Sequence, residues 1–192
     1  MKKRIICSIV FIVLSTISFA QENSQQKDLD LFATIGYAPS FVFAKNSINS
    51  TITPVGLQAK FGIITKRTPQ GNIGINISSG WVHTTTTPHT KKLTTNFVPF
   101  RVNFIYQYDF NDRLTLNTDW GMGITAHFLH LKDEKNDIPR LAEFGFLIGF
   151  GASIHVPIQK KFYGEAGIDY SISFPGEIIQ HLQPVLAIGY KF

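Results

Sequence analysis

The sequence predicts an all-β chain folded as an eight-stranded antiparallel up-and-down transmembrane β-barrel, and three observations carry that expectation. Segment after segment alternates apolar with polar or small residues at a period of two, the mark of a strand with two unlike faces. The connections between these segments alternate long and short. Beyond the first twenty residues no apolar stretch is long enough for a spanning helix, so a membrane must be crossed by strands.

Residues 1–20 open with Lys2, Lys3 and Arg4, continue through an apolar run to Phe19 and end on the small-x-small triplet Ser18-Phe19-Ala20. This is the pattern of a secretory signal peptide cleaved before Gln21, and it is too short for a membrane anchor. Cys7 is the single cysteine and lies inside that segment, so the mature chain has no disulfide and no thiolate to serve as nucleophile or metal ligand. Cleavage removes three of the 18 Lys and Arg residues, leaving 15 against 13 acids and a net charge of +2 instead of +5. The basic balance is therefore no argument for nucleic acid. Residues 21–27, polar and rich in Gln, read as a short disordered leader, and residues 28–192 as one barrel domain.

The first strand sets Leu29, Leu31, Ala33, Ile35 and Tyr37 against Asp30, Phe32, Thr34 and Gly36, and the second sets Val55, Leu57, Ala59, Phe61 and Ile63 against Gly56, Gln58, Lys60 and Gly62. The third alternates Ile73, Ile75, Ile77 and Trp81 with Gly74, Asn76, Ser78 and Gly80. The fourth puts Val98, Phe100, Val102, Phe104 and Tyr106 opposite Arg101, Asn103, Ile105, Gln107 and Asp109; the fifth puts Trp120, Met122 and Ile124 opposite Asp119, Gly121, Gly123 and His127. In the sixth, Phe146, Ile148 and Phe150 oppose Glu143, Leu147, Ser153 and His155, and in the seventh Phe162, Ala166 and Ile168 oppose Glu165, Asp169 and Ser171. Long loops are expected at residues 39–53, 83–96, 130–140 and 175–181, and short turns at 66–71, 111–113 and 157–160. Long and short connections at opposite ends are the layout of a barrel with short periplasmic turns and longer outside loops.

The eighth strand, residues 182–192, places Leu182, Pro184, Leu186, Ile188, Tyr190 and Phe192 on one parity and Gln183, Ala187, Gly189 and Lys191 on the other, with Val185 as the exception. This strand resembles the C-terminal strand of bacterial outer-membrane β-barrels, where a terminal Phe after alternating apolar residues is the signal read by the insertion machinery. Over the whole mature chain the pattern is similar to the small eight-stranded outer-membrane barrels of the outer-membrane protein A and X type, a porin-family type of Gram-negative bacteria. The resemblance implies Tyr190 and Phe192 as the insertion signal, outer-membrane lipid and the barrel-assembly machinery as partners, and a monomer in the outer membrane. A soluble barrel of lipocalin type has the same topology inside out, but interfacial Tyr, Trp and Phe at strand ends and the clean apolar alternation favour the membrane.

Charges gather on the inward parity at Asp30, Lys60, Arg101, Asp109, Asp119, Glu143, Glu165, Asp169 and Lys191. Counted from the periplasmic ends, Lys60, Arg101, Asp119, Glu165 and Asp169 fall at similar heights and are expected to form a polar network in the lumen. An eight-stranded interior is just filled by its side chains, which argues against a wide pore. With Gly151 opposite Gly167, Ser153 would face Glu165 and His155 would face Tyr163, bringing together the residue types of an acyl-transfer triad. The plain reading is a hydrogen-bonded plug, since catalysis on lipid belongs nearer the outer leaflet. Some outer-membrane barrels are lipid A deacylases or palmitoyl transferases, whose motifs this sequence does not match. His83, His89 and His130 lie in or beside outside loops without metal-ligand spacing. The expectation is a non-enzymatic surface-exposed barrel, with no cofactor or metal and an unidentified extracellular ligand. A narrow channel and a lipid-modifying enzyme acting through Ser153, His155 and Glu165 are the alternatives.

Overall fold

The structure, a computed structural model, describes residues 29–44, 51–53, 55–66, 71–86, 92–132, 137–175 and 178–192. The expected signal peptide and leader lie outside the described residues, as do residues 67–70 of the first short turn. Ten strand segments follow one another: β1 (Leu29–Tyr37), β2 (Ser40–Ala44), β3 (Thr51–Thr53), β4 (Val55–Lys66), β5 (Gly71–Thr86), β6 (Lys92–Asn111), β7 (Leu114–Lys132), β8 (Asp137–Pro157), β9 (Phe162–Phe174) and β10 (Ile179–Lys191). They make eight staves. β1 and β2 are two parts of one stave, because both pair with β10, β1 along Leu186 to Lys191 and β2 along Ile179 to Leu182. The stave breaks at Ala38-Pro39, where proline has no N–H to give the ladder and the Ala38 N–H turns to the Gly56 carbonyl at 3.0 Å. β3 pairs with β2 as β4 pairs with β1, so these two form the neighbouring stave.

Each stave pairs antiparallel with the next in sequence, and β1 pairs with β10 to close the cylinder. The sheet is all-β and up-and-down, and among the described residues it closes through β1 and β10. Its polarity is inverted relative to a water-soluble barrel. Leu186 is 64% exposed and Phe144 71%, whereas Asp119 is 2% and Arg101 3% exposed. A wall of Ile, Leu, Val and Phe this extensive cannot be left in water, and it matches the apolar outer band of a transmembrane barrel. At the short-turn end an aromatic belt runs through Phe162 and Tyr190 (ring centroids 4.9 Å apart), Tyr190 and Phe192 (5.0 Å) and Phe61 and Phe192 (6.5 Å). Rings of this kind sit where hydrocarbon gives way to headgroups.

The strands run much further at the other end than the apolar alternation predicts. β5 continues to Thr86 and β6 begins at Lys92, so most of the loop expected at residues 83–96 is paired strand, from His83 opposite Asn96 to Thr86 opposite Leu93. The loop expected at 130–140 is likewise crossed by pairing of Leu131 with Ile138, the one expected at 39–53 contains β2 and β3, and the one at 175–181 ends where β10 starts at Ile179. The physical reason is that pairing needs only backbone, while an apolar face is needed only against lipid. β6, β7 and β8 have 20, 19 and 21 residues, about twice the roughly 9–11 that cross a bilayer.

Inside, two apolar layers bracket the charged residues. Phe32, Ile64 and Ile105 form the layer toward the short turns, and Val82, Phe97 and Leu147 the layer toward the far end. Ile168 projects outward about halfway up the lipid band, between Ala152 and Pro184. Ile168→Lys is expected to destabilise the barrel in liposomes by about 2–4 kcal/mol in a denaturant titration, whereas a site facing water would tolerate it with little change.

Candidate functional site: the lumen network

The five inward charges come from four staves, because each lies on the parity that the pleat turns to the axis. Arg101 of β6 holds Asp169 of β9 with two nitrogens, at 3.2 and 2.5 Å, and gives a third hydrogen bond to Asp119 of β7 at 3.1 Å. Lys60 of β4 donates to the other Asp119 oxygen at 3.1 Å and to Glu165 of β9 at 3.0 Å. The result is a chain of alternating sign, Asp169, Arg101, Asp119, Lys60, Glu165, crossing the lumen with all five side chains at most 5% exposed. Gly149 of β8 makes room for it: a Cβ there would collide with the Arg101 guanidinium. The two-pronged grip on Asp169 is available to arginine and not to lysine.

Glu165 also faces His155, whose Nε2 lies 3.7 Å from Oε2. The register here differs from the expected one by two residues. His155 stands opposite Glu165, Ser153 opposite Gly167 and Gly151 opposite Asp169. The turn is longer than a tight hairpin: pairing ends at Pro157 opposite Tyr163, and the Ile158 and Gln159 N–H groups both donate to the Phe162 carbonyl at 2.8 and 3.1 Å. A shift of two keeps every side chain on its face and changes only its neighbour. The His155 ring still packs on Tyr163, centroids 4.7 Å apart. Ser153 Oγ approaches His155 at 3.3 Å through the same Nε2 that meets Glu165. An acyl-transfer relay uses both ring nitrogens, one for the nucleophile and one for the orienting carboxylate. This arrangement uses one for both and assembles a polar cluster instead.

A second inward cluster is one that sequence reasoning does not reach. Phe97 stacks on His181 (centroids 4.0 Å, planes 18° apart) and packs against His127 at 4.8 Å. Ser40 meets His181 Nδ1 at 3.3 Å and Ser173 meets His127 Nε2 at 3.5 Å. Its signal is the set of apolar residues on the charged parity: Val82, Phe97 and Leu147 interrupt it, and each is buried inside the barrel. His181 falls at the end of the loop expected at 175–181, which hides its parity. Between this cluster and the ion pairs lies a cavity of about 10 Å³ beside Gln58, Arg101, Leu147 and Gln183, room for about one water molecule.

The remaining inward charges sit at the rims. Asp109 accepts from Asn72 at 3.1 Å and from Thr115 at 2.6 Å, Lys191 lies over the Tyr163 ring at 5.9 Å, and Glu143 is exposed opposite His127. His83 is held on the wall by Asn96, 2.9 Å from its Nδ1, and by stacking on Trp81. His130 pairs through its backbone with Thr94, and His89 lies outside the described residues. Among the described residues no group of three or more His, Cys, Asp or Glu side chains is arranged to hold a metal ion. Tyr190 and Phe192 stand in the aromatic belt, and the Phe192 N–H donates to the Leu31 carbonyl at 3.0 Å, tying the end of β10 to the start of β1.

A closed eight-stranded barrel with an apolar outside and a charged, filled inside defines the class of small transmembrane β-barrels. The comparisons with known proteins place it there by fold. No family model matches the sequence, and no curated protein matches it. Among solved structures the chain is similar to Ail, the attachment invasion locus protein of Yersinia pestis, with a TM-score of 0.59 at 13% identity over 86% of this chain and 99% of that one. It is also similar to a major outer membrane protein from Thermus thermophilus (TM-score 0.57, 11% identity, 85% and 99% covered) and to Neisserial surface protein A (0.54, 10%, 85% and 97%). At these identities the likeness is one of fold: the architecture is that of small eight-stranded outer-membrane barrels.

Removing Arg101 would leave Asp119 with one cation and Asp169 with none. Arg101→Ala is expected to lower stability by about 3–5 kcal/mol, measured as an earlier unfolding midpoint in urea. An unchanged midpoint would show that the ion pairs contribute nothing to holding the staves together.

Proposed function

We propose that this protein resides in the outer membrane as a non-enzymatic, monomeric barrel whose far-end strands and loops are displayed on the cell surface for binding. The observation that carries the reading is the overrun of β6, β7 and β8, whose 20, 19 and 21 residues lift a paired sheet well beyond the roughly 25 Å apolar band. Building so much sheet outside the lipid has no use for a wall protein alone and suits a rigid platform for loops. The short-turn end, with both described chain ends, then faces the periplasm, as expected after signal-peptide cleavage near Ala20. β10, with Tyr190 and Phe192, is the segment offered to the barrel-assembly machinery.

Ail, similar in fold, has also been solved in complex with the heparin analogue sucrose octasulfate. By extension, a sulfated glycan is the first probe to try on this chain, with cells displaying the protein over immobilised heparin. Replacing residues 84–95 and 129–141 by short turns should abolish retention by the surface partner while the barrel remains folded. Retention unaffected by the replacement would exclude the far-end strands as the binding element.

Two further readings meet specific observations against them. A channel needs a continuous wet path, and the lumen is crossed by the ion pairs and by both apolar layers; planar-bilayer recordings should show no conductance steps, and steady steps would favour transport. A lipid-modifying enzyme needs a competent relay, and Ser153 and Glu165 share one nitrogen of His155. Lipid A from cells with and without the protein should give the same mass spectrum, and a lost or added acyl chain would establish the enzyme.

A further inference from the structure

We infer a binding site for one anionic phospholipid on the outer wall at the short-turn end, formed by a groove over β9 and the lysine-bearing turn directly below it. The groove has a volume of about 610 Å³ and an apolar lining. Its floor is Gly164 and Ala166, the two smallest outward side chains on β9. The register raises a wall on either side: Val156 and Ile188 flank Gly164, and Ile154 and Leu186 flank Ala166. All four wall residues are exposed, between 43% and 64%. The groove ends upward at Ile168, which fills the next outward position. A trough one strand wide between two aliphatic ridges fits a single acyl chain, and hydrocarbon is what surrounds this face.

The lower end of the groove supplies what the other end of a lipid needs. Below Gly164 the chain turns through residues 158–161, and the tip of Ile158 lies 3.7 Å from the point where a Gly164 Cβ would stand. The turn carries Lys160 and Lys161, both exposed at the rim; the pocket of about 120 Å³ that they border together with His155, Tyr163 and Lys191 is the mouth of the lumen, on the other face of the sheet. Asp112, on the neighbouring turn, is the acid in that lining. Lys161 is positioned twice. Its carbonyl accepts the Lys191 N–H at 2.8 Å, and its ammonium lies 5.6 Å from the centre of the Tyr190 ring, on the outer side of the wall. Tyr190 is the next outward residue after Ile188, one of the groove walls, so the cation stands about 7 Å along the strand from the trough. That is the step from a lipid's first methylenes to its phosphate. Charge at the bottom and hydrocarbon above, in one line along one strand, match an amphiphile with a phosphate head. Lys161 on the outer face, with Lys160 beside it on the rim, selects an anionic head over a zwitterionic one.

The site rests on the membrane-embedded reading and not on what the far end binds. Its test uses the full-length barrel in detergent, with one equivalent series each of phosphatidylglycerol and phosphatidylcholine, read by native mass spectrometry. Barrel integrity is followed separately by β-sheet circular dichroism, so that failure to fold is not confused with failure to bind. The wild type should retain one phosphatidylglycerol in preference to phosphatidylcholine. Lys160→Ala with Lys161→Ala should weaken retention roughly thirtyfold, the effect of two cations near a membrane surface. Gly164→Leu, which fills the groove where the added Cβ meets nothing closer than 3.7 Å, should weaken it about tenfold, the loss of roughly two buried methylenes; Ala166→Phe provides the same block if the first variant misfolds. Equal retention by wild type and all variants would overturn the site. So would retention lost in the lysine variant but kept in both groove variants, which would leave a phosphate contact without a chain. A wild-type dimer that Gly164→Leu converts to monomer would assign the groove to a second copy of the chain instead.

Discussion

A sheet surrounded by hydrocarbon cannot have an edge, and the pairing of β1 with β10 is the contact on which everything else depends. In water the exposed N–H and C=O groups of an edge strand are solvated, but in lipid each costs several kcal/mol. Closure with eight staves follows, and closure fixes the bore. A bore of this size admits side chains and little else. The interior must therefore be packed as a solid, and the chain fills it with Lys60, Arg101, Asp119, Glu165 and Asp169 in a line of alternating sign, capped by apolar residues on both sides.

The ion pairs are best understood from the assembly problem and not as a source of net stability. Buried pairs often contribute little more than the desolvation they incur, yet each becomes costly when one member is missing. Here each member comes from a stave that another member must find. Arg101 on β6 reaches across the bore to Asp169 on β9, and Lys60 on β4 reaches Asp119 on β7 and Glu165 on β9. A stave slipped by one residue would turn its charge outward into lipid. One slipped by two would keep its face but lose its partner. The network thus favours one register among those that the apolar alternation alone would permit.

That same distinction separates what is legible in the sequence from what is not. Parity is legible: Ile35, Val102 and Leu186 outward and Lys60, Arg101 and Asp119 inward follow from alternation, because lipid enforces it on one face. Register between β8 and β9 is not, since the turn at residues 158–162 could close at several lengths without changing any face; His155 stands opposite Glu165, whereas a tight turn predicts Tyr163. Strand length at the far end is also hidden. Thr84, Thr85 and Thr86 are paired strand, and a run of one residue type carries no alternation to read. The cluster of Phe97, His127 and His181 is obscured for the opposite reason: apolar residues on the inward parity read as noise in the alternation, although they are the plug.

The apolar wall faces lipid, and the two tryptophans allow that to be measured directly. Trp120 projects from the wall, 60% exposed, between Phe104 and Phe150, while Trp81 lies further toward the far end with its Nε1 donating to Asn96 at 3.2 Å. In bilayers containing brominated phospholipids, the Trp81→Phe variant reports Trp120 alone and the Trp120→Phe variant reports Trp81 alone. Bromines placed deep in the acyl chains are expected to quench Trp120, and bromines near the headgroups to quench Trp81. Emission from Trp120 indifferent to brominated lipid would contradict the lipid-facing wall and turn the barrel inside out.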